Sequence, residues 1–105
     1  MRQVDFLPLG SVVRLVDAAL PLMIVGRGLF VNYKGQHQYV DYAGVAYPEG
    51  LVGPETIYFN EDAIDEVIHK GFTDASDDAA VRMINDYLKN NDDLVLAHPE
   101  TWGKE

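Results

Sequence analysis

Leu22-Met23-Ile24-Val25-Gly26-Arg27-Gly28-Leu29-Phe30-Val31-Asn32-Tyr33 is followed by Lys34-Gly35 and then by the β-prone run from Gln38 to Tyr47. The near-continuous apolar start, Leu22 to Val25, suits a central strand covered on both faces. Gly26 and Gly28 flank Arg27 and predict a bulge or sharp bend there. Leu29 to Tyr33 carries the strand onward to a turn at Lys34-Gly35. The return strand places Tyr39, Asp41, Ala43 and Val45 on one face and Val40, Tyr42 and Ala46 on the other. A long hairpin is therefore the expected centre of the fold.

Upstream, Leu7-Pro8-Leu9-Gly10 is a turn before Ser11-Val12-Val13-Arg14-Leu15-Val16, whose β-branched content reads as a strand. Asp17 to Pro21 is a connection, because Pro21 cannot donate to a sheet ladder. Downstream, Tyr42 to Phe59 holds three of the nine glycines, three tyrosines and the turn signals Tyr47-Pro48-Glu49-Gly50 and Gly53-Pro54-Glu55. Glycine supplies positive φ and proline fixes φ, so this loop has a specified backbone path. It projects aromatic and acidic side chains from a sheet edge.

Thr56-Ile57-Tyr58-Phe59 is a short strand, and Asn60-Glu61-Asp62-Ala63 a helix start with Asn60 as N-cap. Residues 64–72 fit a helical face or a strand; Gly71 and Phe72 favour one helical turn followed by a strand. A second helix begins with Asp74 or Ser76 as cap and Asp77 and Asp78 in its first turn. Ala80, Val81, Ile84, Tyr87 and Leu88 form its apolar stripe, and Asn90-Asn91-Asp92-Asp93 ends it. The expected fold is α+β: a small antiparallel sheet or partly open barrel of about five strands, with a C-terminal helix packed on it. Residues 1–105 form a single domain with a core over about 7–90. Leu94-Val95-Leu96 docks back, and the remaining tail is loose.

At 105 residues there is room for one core, and 48% hydrophobic with 24% charged residues is an ordinary globular composition. No cysteine is present, which excludes disulfides and thiolate chemistry. Seventeen acidic residues against eight basic ones give a net charge of −9. Such a balance argues against nucleic acid and against anionic membrane surfaces, and it is compatible with a basic protein partner. No apolar leader opens the chain, and its apolar runs are far shorter than the roughly 20 residues of a membrane span. A cytoplasmic, soluble protein is the expectation.

No reaction motif stands out. Ser11 and Ser76 lie at a strand start and a helix cap, away from any nucleophile-elbow pattern. His37, His69 and His98 are far apart, and Asp41, Glu61, Asp62 and Asp65 do not match a calcium loop. Neither metal nor cofactor is expected. Gly26-Arg27-Gly28 lacks the rest of a nucleotide fingerprint, so Arg27 is read as pairing with Glu49 or Glu55 and bracing the loop. Those three residues also define the alternative, a small-ligand-binding or hydrolytic barrel using Arg27, Glu49 and Glu55. The tyrosines are the better binding residues, since Tyr carries large area at low entropic cost with a polar tip. Tyr42, Tyr47, Glu49, Leu51, Glu55 and Tyr58 are the candidate partner contacts. Two of the tyrosines are expected to form an exposed patch with Leu51 and Val52.

Four blocks occur in order: Leu-Pro-Leu-Gly-Ser-Val-Val-Arg-Leu at 7–15, Pro-Leu-Met-Ile-Val-Gly-Arg at 21–27, Tyr-Ala-Gly-Val-Ala-Tyr-Pro-Glu-Gly-Leu-Val-Gly-Pro-Glu at 42–55, and Tyr-Phe-Asn-Glu-Asp-Ala-Ile-Asp-Glu-Val-Ile-His-Lys-Gly-Phe at 58–72. Together they resemble a small-protein family of Gram-positive bacteria classed as a domain of unknown function. Its members are commonly encoded near type VIIb secretion genes and LXG toxin genes. The resemblance covers residues 7 to about 88 and brings no catalytic residues with it. It implies a non-enzymatic accessory role: an adaptor or chaperone for a secreted effector, with an immunity protein as the alternative. The implied partner is a protein, a secreted toxin or a secretion component, and a homodimer is compatible with a free sheet edge.

Overall fold

A two-residue turn sets the long hairpin. The computed structural model describes residues 3–104, with β1 (Val12–Leu15), β2 (Leu22–Tyr33), β3 (Gln36–Ala46), β4 (Ile57–Phe59), β5 (Ile64–His69) and one helix, α1 (Ala75–Asn90). Lys34 and Gly35 both have positive φ, 52° and 80°, the requirement of a tight hairpin whose twist matches its strands. β2 and β3 then pair from Tyr33 and Gln36 back to Leu22 and Ala46. The register slips by one residue between Ile24 and Gly26, so the bulge lies just before the Gly-Arg-Gly segment expected to carry it. Gly28 has a different task. At φ 59°, a Cβ there would lie 2.8 Å from Cγ2 of Ile84 on α1, so glycine lets the helix approach the hairpin.

The strands form one antiparallel sheet in the order β4-β3-β2-β1-β5, with α1 packed on it. This is the expected α+β class. β4 and β5 are opposite edges, yet only Asn60 to Ala63 separates them in sequence. Even fully extended, the five steps from Phe59 to Ile64 span at most about 18 Å. Four interstrand spacings in a flat sheet need about 19 Å. Part of the link is moreover a compact 3-10 turn, Glu61–Ala63. The sheet must curl, and its two edges approach each other as in a barrel that fails to close. Residues 64–69 are strand after that single turn, as Gly71 and Phe72 suggested.

Core packing joins Val13, Ile24, Tyr39, Tyr42 and Phe59 of the sheet to Leu88 of α1. It also takes in Val4 and Phe6, so the packed domain starts earlier than the expected 7. Asn85 of α1 holds that entry segment by accepting from the Val4 N–H and donating to its carbonyl, both at 2.9 Å. Asp74 caps α1 by accepting from the Asp77 N–H at 3.0 Å.

The C-terminal segment is docked well beyond Leu96. Tyr39 and Leu96 form a parallel bridge, with the Tyr39 N–H donating to the Val95 carbonyl at 2.8 Å and the Ala97 N–H donating to the Tyr39 carbonyl at 2.7 Å. Trp102 stacks on Tyr33 with ring centroids 4.5 Å apart. Asn60 joins this segment to the sheet. Its side chain makes no capping bond to the 3-10 turn; its carboxamide accepts from the Asp41 N–H at 3.0 Å and donates to the Ala97 carbonyl at 2.7 Å. Asn60 is 4% exposed, so removing the carboxamide leaves two backbone groups unsatisfied. Asn60→Ala is expected to cost about 2–4 kcal/mol in urea unfolding. Asn60→Asp, which turns an oxygen toward the Ala97 carbonyl, should lose comparable stability at neutral pH.

Candidate functional site

The β3–β4 loop is held by its backbone and presents its side chains outward. The Gly50 N–H closes back on the Ala46 carbonyl at 2.7 Å, and the Tyr47 N–H donates to the Pro21 carbonyl at 3.1 Å. Gly50 takes φ 79°, and the Tyr47–Pro48 peptide bond is cis. Around these anchors Tyr47 is 48% exposed, Leu51 66%, Val52 82% and Ile57, at the start of β4, 47%. Glu49 and Glu55 are exposed on the same loop. A shallow groove of about 270 Å³ under the loop is lined by Ala46, Val52, Pro54, Glu55 and Ile57 among others. The loop thus combines apolar anchors with an acidic margin, the composition of a contact surface.

Three of the sequence-derived positions behave differently. Tyr42 is fully buried, in edge contact with Phe6 and stacked on Phe59. It is a core residue, because both faces of β3 are covered from Tyr39 to Val45. Its phenol oxygen accepts from the Leu7 N–H at 2.9 Å. Tyr58 is half-buried beside Trp102, with centroids 6.2 Å apart. The expected pair of exposed tyrosines is therefore Tyr47 alone. Ile57, read only as part of a short strand, takes the place beside Leu51 and Val52.

Arg27 does not brace the loop. Its guanidinium lies 2.8 Å from the Asp77 carboxylate and 3.3 Å from the Leu7 carbonyl, with side-chain exposures of 7% for Arg27 and 14% for Asp77. It ties β2 to the first turn of α1 and to the entry segment. Thr73 steadies the same carboxylate through its hydroxyl at 2.9 Å. The proposed Arg27–Glu49–Glu55 site is not assembled, since the cation is committed elsewhere and both glutamates lie in solvent.

Burial pushes the Tyr42 phenol up from 10.0 to about 12; nearby Glu61 and Asp41 add to this, against the Leu7 hydrogen bond and Arg27. Among the described residues, no group of three or more histidine, cysteine or acidic side chains is placed to hold a metal ion, and no helix is long and apolar enough to cross a membrane. A second groove, of about 650 Å³, lies between β4, the end of β1 and the segment 99–104.

Compared with known families, residues 6–80 match the Domain of unknown function (DUF4176), and the chain belongs to that family. No curated protein and no solved structure matches it. The matched range holds both Arg27 and Tyr42, whose roles are open to direct measurement. Arg27→Met leaves Asp77 buried without its partner and should cost about 3 kcal/mol. Glu49→Ala and Glu55→Ala should each stay within about 0.5 kcal/mol of the parent. For Tyr42, the raised pKa means that the fold holds the neutral phenol. Its contribution is whole below pH 10 and is lost as pH rises through 12, up to roughly 2–3 kcal/mol. A phenolate absorbance titration of the native protein should show a step near pH 12 that vanishes in Tyr42→Phe.

Proposed function

We propose that the chain is a non-enzymatic protein-binding module whose contact surface is the β3–β4 loop with Ile57 at the start of β4. The carrying observation is that Tyr47, Leu51, Val52 and Ile57 stay exposed on a backbone pinned at both Tyr47 and Gly50. Large apolar side chains on a restrained loop bind with little ordering cost, which is what a recognition surface requires. Glu49 and Glu55 at its margin, on a chain of net charge −9, favour a partner with basic character.

In this reading the protein is an accessory factor in a Gram-positive cytoplasm, acting as adaptor or chaperone for an effector of the type VIIb secretion route. The resemblance in the four sequence blocks supports that setting. The loop supports protein contact in preference to chemistry, since the desolvated groups Arg27, Asp77 and Tyr42 are all engaged in structural bonds. An immunity role would use the same kind of surface and differs only in whether toxin activity is neutralised.

The test is co-purification of the tagged protein from a host carrying these genes. The Tyr47→Ala, Glu49→Ala double variant should keep the parent circular dichroism spectrum and unfolding midpoint while losing its partner. A folded double variant that still retains the partner would remove this loop from the contact surface.

A further inference from the structure

The groove of about 650 Å³ lies between β4, the end of β1, the link residues Asp62 and Ala63, and the segment 99–104. Its apolar lining includes Val16, Ile57 and Ala63, and its charged lining is Asp17, Asp62 and Glu100 against Lys104. Val16 is 53% exposed and Ile57 47%, a level at which apolar side chains in a concave surface are available to a ligand. Ile57 also lines the smaller groove under the β3–β4 loop, together with Val52 and Glu55. The two grooves therefore share Ile57 in their linings, and the pair makes up the trough. Four carboxylates line that trough against one ammonium.

From this charge pattern we infer that the trough receives a basic amphipathic helical segment of the partner protein. The inference rests on the protein-binding reading above and names the chemistry of what is bound. A strand is a poorer occupant, because β4 is three residues long and offers few backbone groups for added pairing. A helix brings its own backbone hydrogen bonds. It lays an apolar stripe on Val16, Ile57 and Val52 while its lysines or arginines reach Asp17, Asp62, Glu55 and Glu100. The far wall, residues 99–104, is held in place by Trp102 stacked on Tyr33 and by the Gly103 N–H donating to the Tyr33 hydroxyl at 3.1 Å. An acidic rim repels anionic lipid and nucleic acid, which leaves a cationic peptide as the fitting ligand.

The experiment uses two fluorescent helical peptides of the same heptad pattern, one of leucine and lysine and the other of leucine and glutamate. Fluorescence anisotropy with the full chain should show the lysine peptide binding at least about tenfold more tightly, with affinity falling as salt rises. Ile57→Asp, and separately the Asp17→Lys, Asp62→Lys double variant, should each weaken binding by about tenfold or more. An Asp92→Lys variant, remote from the trough lining, should not. Amide shift perturbations should centre on Val16, Ile57 and Ala63, a readout that does not depend on any variant folding. Equal affinity for both peptides, no binding, or shifts centred elsewhere would overturn the inference. If the native partner still depends on Tyr47 and Glu49 in that event, the protein-binding reading stands and only the partner's chemistry is wrong.

Discussion

The outer edge of β3 is the feature that organises this domain. β3 spans eleven residues and is buried from Tyr39 to Val45, but β4 covers it only at Tyr42, Ala43 and Gly44. A buried strand cannot leave the remaining N–H and carbonyl groups unpaired without a cost of a few kcal/mol. Gly50 pairs with Ala46 at one end, and two further sources complete the edge from Tyr39 to Asp41. The Asn60 carboxamide stands in for a peptide group opposite Asp41, and the segment Val95–Ala97 pairs with Tyr39. Asn60 touches both pieces, so residues 41, 60 and 97 form one hydrogen-bonded joint. The Asp41 carboxylate extends it by accepting from the Glu61 N–H at 2.9 Å, which fixes the turn leading across to β5.

That joint explains what local sequence signals reveal and what they conceal. The strands and α1 were legible because β-branched runs, a Lys-Gly turn and an Asp cap act over a few residues. Asn60 carries the same local signal as a helix cap, and only its distant partners, Asp41 and Ala97, show that it serves a sheet edge. Arg27 was misassigned for a related reason. With seventeen acids and eight bases, proximity in sequence barely discriminates among candidate partners, and the true one, Asp77, lies fifty positions away. Tyr42 escaped because alternation sorts a strand into two faces but does not say that both are covered. The tail looked loose from its polar composition, although Trp102 was the one residue in it able to bury a large area.

The helix side and the loop side of the sheet are built on different principles. On the helix side the contacts are close and specific: Arg27 to Asp77, Gly28 to Ile84 and Asn85 to Val4. These fix α1 along its length and use up the titratable groups that burial could otherwise have made reactive. On the loop side the backbone is pinned but the side chains are not packed. Exposed apolar side chains occur on both sides, Met83 and Tyr87 on α1 and Tyr47, Leu51, Val52 and Ile57 at the loop, where the backbone frame is pinned beneath them.

The groove between β4 and the end of β1 is bordered by the same link from β4 to β5, at Asp62 and Ala63. Tight linkage of β4 to β5 through Asn60–Ala63 bends the sheet and brings β4 near the chain leaving β1 at Val16. Val16 and Ile57 line the groove, and residues 99–104 wall it, held by the Asn60 bond to Ala97 before them and by Trp102 within them. One wall of the groove is therefore held by the joint that satisfies the edge. This couples any occupant of the trough to the stability of the C-terminal segment: a ligand resting against Pro99 and Glu100 strengthens the docking of Ala97 and Trp102. A variant that loosens Asn60 must, by the same linkage, weaken the ligand.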